Sequence, residues 1–311
     1  MAKIIGPGSL IVDVTGFAPH LPVSGETVKG STLRFGPGGK GSNQMTAAHR
    51  AGSDVKIISR RGDDVLGQIL KKHYADEGMT EEYIVVDPEG ETASALIEID
   101  ESDAQNRIIV IFAANEKVTG EHVYAAERDF ADCDAVLTQF ETTTDAVLAA
   151  KALANRYGKP FILNPAPAID VPLSLFDGVD YITPNETETE QFTGIAVNTA
   201  EDCRAAAEKF LEMGVKNVIL TLGVRGVYFY NGEAELMVPA VPVKAVETTG
   251  AGDAFNGGLA TAIAEGLPVD TALKFATCTA AISVTRLGSS PSMPHRHEIL
   301  ALMEKEFGIK L

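Results

Sequence analysis

The sequence predicts an α/β fold: a central, mostly parallel sheet with helices on both faces, and a small β lid projecting from it. Two observations carry this expectation. Short runs rich in Val, Ile and Leu alternate with longer amphipathic stretches, which is the pattern of parallel strands whose crossovers cover a sheet on both sides. One region, 90–112, breaks the alternation with two strand-like runs and no helix between them, as a hairpin does.

In chain order, MAKIIGPGSLIVDV reads as one buried strand closed by Asp13. Its Gly6, Pro7, Gly8 and Asp13 separate it from a signal peptide. VKIISR, DAVLTQF, PFILNPAP, YITPNE and NVILTLG read as the strands that follow. SNQMTAAHRAG, VLGQILKKHYADEG, TTDAVLAAKALANRYG and AEDCRAAAEKFLEMG have helical spacing and end at or near glycine, a usual helix stop. ASALIEID and NRIIVIF pair around the polar turn ESDAQ and join the segment near 25–34 in the projecting layer. No repeat, low-complexity tract or linker divides the 311 residues. The expectation is one domain, 1–311, with a lid from approximately 14–35 and 90–113.

Composition narrows the function. Apolar residues make up 45% of the chain, enough for a sizeable core. The 43 acidic and 26 basic residues give a net charge of −17, which argues against nucleic acid or an anionic membrane as partner, since both need a basic face. No stretch has the length of apolar residues that crossing a bilayer requires. Cys133, Cys203 and Cys278 are odd in number and far apart, so reduced thiols fit better than disulfides or a zinc site. A soluble cytoplasmic protein is expected.

In an open α/β sheet, ligands bind beyond the carboxyl ends of the strands, so the loops there hold the informative residues. RFGPGGKGSNQ (34–44) has glycines that admit close backbone approach, with Lys40, Ser42 and Asn43 as donors at a helix start. It is no Walker A loop, because Gly41 follows Lys40 and Arg34 holds the place of the required glycine. Asp13 and Glu141 each close an apolar run. Either is a first solvated residue or a carboxylate that accepts two hydrogen bonds from a diol. In TPNETETE, Asn185 and Glu188 share one face of a starting helix, while Glu186 and Glu190 read as solvated charges favoured by the helix dipole. In TLGVRG, Gly223 and Gly226 permit a tight turn with exposed amides. In ETTGAGDAF, Gly250, Ala251 and Gly252 present N–H groups at a helix start, where an anion is favoured. Asp253 beside them is either a plain cap or a base that takes a proton from an attacking hydroxyl while the amides stabilise transferred charge. The second arrangement suits phosphoryl transfer from a nucleotide to an alcohol.

FGPGGKGSNQ, NPAPA, TPNETE, TLGVRG, TGAGDAF and SVTRLGSSPS stand in an order and spacing that resemble the ribokinase-like family of sugar kinases, over nearly the whole chain. NPAPA with TPNETE points toward its ribokinase branch. The resemblance implies a ribokinase-like α/β fold with a β lid over the sugar, dimerisation through that lid, and transfer of the γ-phosphate of ATP with Mg²⁺ to the 5-hydroxyl of a pentose such as D-ribose. Asp253 resembles the family's base, and Gly250, Ala251 and Gly252 its anion hole. Ile11, Asp13, Gly38, Gly39, Lys40, Asn43 and Glu141 match sugar-contacting positions. Asn185, Thr221, Gly223, Gly226, Gly252 and Thr277 match nucleotide-contacting ones. Glu188 resembles the acidic residue of the family's NxxE motif, which acts on Mg²⁺ through water. Glu247, Thr249, Ser283, Arg286, Gly288 and Ser292 match the surroundings of an activating monovalent cation such as K⁺.

Two positions depart from the pattern. Ile11 replaces the asparagine usual in ribokinases, and an apolar side chain there suits a sugar that lacks a hydroxyl at that point, such as 2-deoxyribose. Glu247 replaces the usual aspartate of the cation site. A kinase for another small sugar or a nucleoside, and a silent sensor on the same fold, are the alternatives. A sensor has no need of Asp253. A Rossmann dehydrogenase is disfavoured because the first strand leads into GPGSLIVD and not into GxGxxG.

Overall fold

Among the described residues, aliphatic and β-branched runs form nine strands of a large sheet and four of a small one. The computed structural model describes residues 1–102 and 105–311. The first half of the chain holds β1 (Lys3–Pro7), β2 (Ile11–Ala18), β3 (Thr32–Gly38), α1 (Lys40–Arg50), β4 (Asp54–Gly62), α2 (Val65–Glu77), β5 (Ile84–Asp87), β6 (Ala93–Asp100) and β7 (Asn106–Ile111). Then come α3 (Gly120–Ala125), α4 (Glu127–Asp132), β8 (Ala135–Gln139), α5 (Thr144–Tyr157), β9 (Phe161–Asn164), β10 (Tyr181–Ile182) and α6 (Glu186–Thr193). The chain closes with α7 (Ala200–Glu212), β11 (Asn217–Thr221), β12 (Val227–Tyr230), β13 (Glu235–Val238), α8 (Ala251–Ala264), α9 (Val269–Ser283) and α10 (Arg296–Phe307).

The large sheet runs β13-β12-β11-β10-β9-β8-β1-β4-β5, parallel from β11 to β5 and antiparallel at β12 and β13. Successive residues of a strand face opposite sides, so each central strand feeds two cores. Ile4 and Leu137 join Met45, Leu259 and Phe275 on one face, while Ile5 and Val136 join Phe130, Leu153 and Phe210 on the other. Every one of these side chains is buried. The α/β expectation holds.

The small sheet runs β3-β2-β6-β7. The expected hairpin is there, β6 against β7 from Ser94↔Ile111 to Ile99↔Asn106. Part of its turn ESDAQ, residues 103 and 104, lies outside the described residues. The strands of this sheet begin at Ile11 and reach Gly38, beyond the 14–35 expected for the first lid segment.

The opening stretch needs correction. It is two strands in two different sheets, not one. Gly6 must lack a side chain, because a Cβ there would stand 1.9 Å from the Leu137 carbonyl oxygen. Beyond Pro7 the chain leaves the ladder, and the Asn115 side chain takes over, accepting from Leu10 N–H at 3.2 Å and donating to its carbonyl at 3.1 Å. A buried main chain needs such partners, which is why this crossing stays ordered without a ladder. Asp13 consequently stands third in β2 and does not close the first strand. YITPNE is shorter than expected, two paired residues before Pro184. Sequence reading also missed the antiparallel pair β12–β13.

The three cysteines are free and buried, in agreement with reduced thiols. No described helix is long and apolar enough to cross a membrane.

Candidate active site

Loops of the large sheet and the starts of α1, α6 and α8 surround a cavity of about 110 Å³. Lys40, Asn185, Glu188, Thr221 and residues 250–253 line it together. These come from four of the motifs singled out above, spread from Lys40 to Asp253 along the chain.

Helix α8 opens on this cavity. Gly250 adopts the left-handed backbone at φ 80° as its N-cap and makes no side-chain cap bond. Ala251 N–H turns back to Thr248 O at 3.2 Å, while Ala254 N–H is the first to reach an i−4 carbonyl, that of Gly250, at 2.8 Å. The N–H groups of Gly252 and Asp253 therefore face the cavity mouth as open donors, with the positive end of the helix dipole behind them. A Cβ at Gly252 would touch nothing within 4 Å, so the space over it is free.

Asp253 is held by two amides from α1. Asn43 Nδ2 donates to its Oδ2 at 2.9 Å and Gln44 Nε2 to its Oδ1 at 3.1 Å. Gln44 Nε2 also donates to Asn164 Oδ1 at 3.0 Å, while Gln44 Oε1 is buried without a partner. This carboxylate cannot swing away without stranding buried amides. Helix α1 is itself placed by glycine. Gly39 is its N-cap at φ 86°, and a Cβ on Gly41 would stand 2.4 Å from Ser9 N.

Lys40 N–H donates to Glu141 Oε2 at 2.8 Å, which also accepts from Ser9 Oγ at 2.7 Å. Burial works against the Lys40 ammonium, yet Asp253, Glu141 and Glu188 around it hold its pKa above the ordinary lysine value. Burial likewise pushes Glu141 up, opposed by Lys40 and Ser9. Asp13 lies apart from the cavity on β2. Burial, with Glu141, Asp253 and Glu247 in reach, raises its pKa to about 6 against the pull of the Ser289 hydroxyl. A Cβ on Gly38 would lie 2.4 Å from the Asp13 carboxylate, so the glycine keeps that carboxylate clear. Ile11 is 2% exposed and packs with Ala93 and Ala95, flanked by Ile97 and Phe112.

A helix does begin within TPNETETE, and Asn185 is its N-cap. Its side chain accepts from Glu188 N–H at 2.8 Å, and Glu188 answers with Oε2 on Asn185 N–H at 2.9 Å. Burial raises the Glu188 pKa, opposed by the bond from Asn185 N–H and by the nearby Lys40. Among the described residues no three acidic or imidazole side chains converge as a metal cage. Glu188 beside open cavity fits an ion that keeps most of its own water and phosphate ligands.

Other sequence candidates fall at the periphery. Gly223 and Gly226, at φ 54° and 98°, shape the turn from β11 to β12, where a Cβ on Gly226 would stand 2.1 Å from Val238 O. Thr277 is buried in α9 with its hydroxyl donated to Leu273 O at 2.8 Å, and it is no part of the cavity lining. Around the proposed cation position, Glu247 Oε2 accepts from Gly288 N–H at 2.9 Å and its N–H reaches Val284 O at 3.2 Å. Arg286 pairs with Glu298 instead. Ser283 and Ser292 donate to Ala280 O and Ser289 O, each at 2.8 Å. Thr249 is exposed.

Sequence reading missed Ser9, Gln44, Asn164, Thr183 and Asn256. Thr183 Oγ donates to Asn256 Oδ1 at 2.7 Å, and Asn256 Nδ2 to Gly252 O at 2.8 Å, fixing the start of α8. The available signal was a polar residue inside or ending an apolar run, as in FILN and DAFNGG.

The family model described as pfkB family carbohydrate kinase matches residues 1–296. The chain is 36% identical to a ribokinase of Haemophilus influenzae over 297 residues, 96% of this chain and 97% of that one. It is 34% identical to a deoxyribokinase of Salmonella typhi, over 96% of this chain and 98% of that one. Its fold superposes on an Arabidopsis thaliana ribokinase complexed with ribose and ATP at a TM-score of 0.92, with 30% identity and 98% and 99% of the two chains covered.

Proposed function

Because the chain belongs to the pfkB family of carbohydrate kinases and is a sugar phosphotransferase, we propose that it transfers the γ-phosphate of ATP to the 5-hydroxyl of a pentose, D-ribose first. The carrying observation is Asp253, pinned by two amides beside the open N–H groups of α8. In this reading Asp253 takes the proton of the hydroxyl as its oxygen attacks phosphorus. The bond from the γ-phosphorus to the bridging oxygen breaks, and ADP leaves with that electron pair. The N–H groups at the start of α8 receive the charge on the transferred group, and Lys40 adds a cation to a chain that is otherwise acidic.

Asp13 and Glu141 are the sugar's hydroxyl acceptors in this reading, with Gly38, Gly39 and Asn43 shaping the floor between them. Asn185, Thr221, Gly223 and Gly226 belong to the nucleotide side. Glu188 would hold Mg²⁺ through water, and the bound ion would neutralise phosphate charge. The segments around Glu247, Gly288 and Ser292 suit a large monovalent cation held mainly by carbonyl oxygens, with the second Glu247 oxygen available to it.

A second reading, 2-deoxyribose as substrate, is favoured by Ile11. Its buried aliphatic side chain offers no partner to a hydroxyl, and a relative of nearly equal identity is a deoxyribokinase. We also propose a homodimer through the small sheet. Leu33, Phe35, Leu96 and the β7 residues Ile108, Ile109, Val110 and Ile111 are exposed on it, apolar side chains that a second copy would cover.

A coupled ATP-consumption assay with Mg²⁺ over ribose, 2-deoxyribose, other sugars and nucleosides, with and without K⁺, tests the reading. Ribose as best substrate supports the first form, 2-deoxyribose the second. ATP binding without turnover of any sugar overturns both.

A further inference from the structure

Ser289 and Ser290 are adjacent hydroxyls that no step above uses, and each points at a different half of the site. Ser289 Oγ donates to Asp13 Oδ2 at 3.0 Å and lies 3.2 Å from Pro37 O. Ser290 Oγ donates to Asn43 Oδ1 at 2.6 Å. The two residues are 4% and 0% exposed. Hydroxyls buried to this degree are held by what they bond.

The loop that carries them is fastened from behind. Arg50 Nη1 donates to Pro291 O at 3.0 Å and Met293 O at 2.6 Å, while its Nε and Nη2 grip the Glu77 carboxylate. Ser292 Oγ closes onto Ser289 O at 2.8 Å. A loop held this way presents its two hydroxyls at fixed positions.

The chemistry of each bond differs. An amide has a donor end and an acceptor end. The Asp253 carboxylate only accepts, so it draws Nδ2 of Asn43 and turns Oδ1 toward Ser290, whose hydroxyl satisfies that buried oxygen and anchors the far end of the amide. Ser290 thereby holds the Asn43 amide in place against Asp253. Ser289 occupies Oδ2 of Asp13 and leaves Oδ1 for a ligand. Neither hydroxyl touches the groups that react.

We infer that Ser289 and Ser290 divide the positioning of the two reacting partners: Ser290, through Asn43, orients Asp253 for transfer, and Ser289 orients Asp13 for holding the sugar. This rests on the reading of Asp253 as the base. The signature is a split in kinetics. A residue that orients only the base moves kcat, and one that orients only a sugar acceptor moves KM.

The test compares S289A, S290A, the milder S290C and D253N with the wild type, using the best sugar of the panel. Steady-state kinetics are paired with calorimetric sugar affinity in the presence of a non-hydrolysable ATP analogue, and with thermal melting. The loss of one buried hydrogen bond predicts about a tenfold fall in kcat for S290A, with sugar KM within about twofold. S289A is expected to raise sugar KM and Kd about fivefold to tenfold, with kcat within about twofold. S290C, with a weak donor of similar shape, falls between S290A and wild type. Wild-type kcat in S290A, or in S290C should S290A fail to fold, overturns the inference, as do equal changes of kcat and KM in both serine variants. Retained turnover in D253N instead sinks the base assignment, a result separable from the first because it requires no change at either serine.

Discussion

Asp13→Asn removes a charge that the fold holds in unfavourable surroundings, and the size of the effect follows from those surroundings. Burial and three neighbouring carboxylates lift the Asp13 pKa from 3.8 to about 6. A shift of ~2 units at ~1.4 kcal/mol each corresponds to ~3 kcal/mol of folded-state penalty on the ionised form. The carboxylate is only half-buried, and the neutral variant weakens the bond from Ser289. About 1–2 kcal/mol of added stability is therefore the expectation. The sign with pH is fixed by the direction of the shift. Below 3.8 the side chain is protonated in both folded and unfolded chains, and the variant gains nothing. The gain grows as pH rises and is complete above about 6. Urea unfolding of both proteins from pH 4 to pH 8, with sugar affinity measured alongside, gives the comparison. The variant should be more stable at pH 8 and equal near pH 4, while binding sugar at least about tenfold more weakly for want of an ionised acceptor. An advantage of the same size at pH 4 and pH 8, or none at pH 8, refutes the electrostatic argument. Undiminished sugar binding refutes the acceptor role.

Asp253→Asn should lower kcat by about a hundredfold or more with nucleotide affinity nearly unchanged, as single-turnover kinetics and ADP calorimetry would reveal. Gly41→Ala places a methyl 2.4 Å from Ser9 N and 2.6 Å from Gly8 carbon, all main chain. A loss of about 1–3 kcal/mol in urea unfolding is expected, and a neutral result would show that the α1 approach is looser than described. Glu188→Gln keeps an acceptor for the Asn185 N–H but removes the charge. The Mg²⁺ concentration for half-maximal activity should rise several-fold with melting temperature steady or higher, and an unchanged Mg²⁺ requirement counts against Glu188. Ile109→Glu, on a residue 64% exposed in β7, should convert a dimer into a monomer in sedimentation, and a wild-type monomer ends that proposal.

How much was legible depended on whether a residue's chemistry shows locally. Alternation of apolar and amphipathic runs gave the large sheet and most of its helices, because burial on two faces leaves a continuous apolar signature. The break at 90–112 gave the hairpin for the converse reason. The first strand was misread because Gly6, Pro7 and Gly8 look like a kink within one strand, whereas the crossing depends on Asn115, more than a hundred residues away. The site's backbone donors and Asp253 were readable from their motifs. Gln44 and Ser290 were not, since an amide or hydroxyl becomes a positioning group only through partners brought in by topology.

The bonds that complete the site join segments far apart in the chain. Asn43 meets Asp253 across 210 positions, and Ser289 meets Asp13 across 276. During synthesis, therefore, residues 253 and 289 must leave the ribosome before Asn43 and Asp13 can find these partners. A chain that stops short of α8 holds half a cavity, without Asp253 or the helix start beside it. The same separation makes recovery of turnover after dilution from denaturant a late clock, one that starts only when the segments around residues 13–43 and 253–289 have docked.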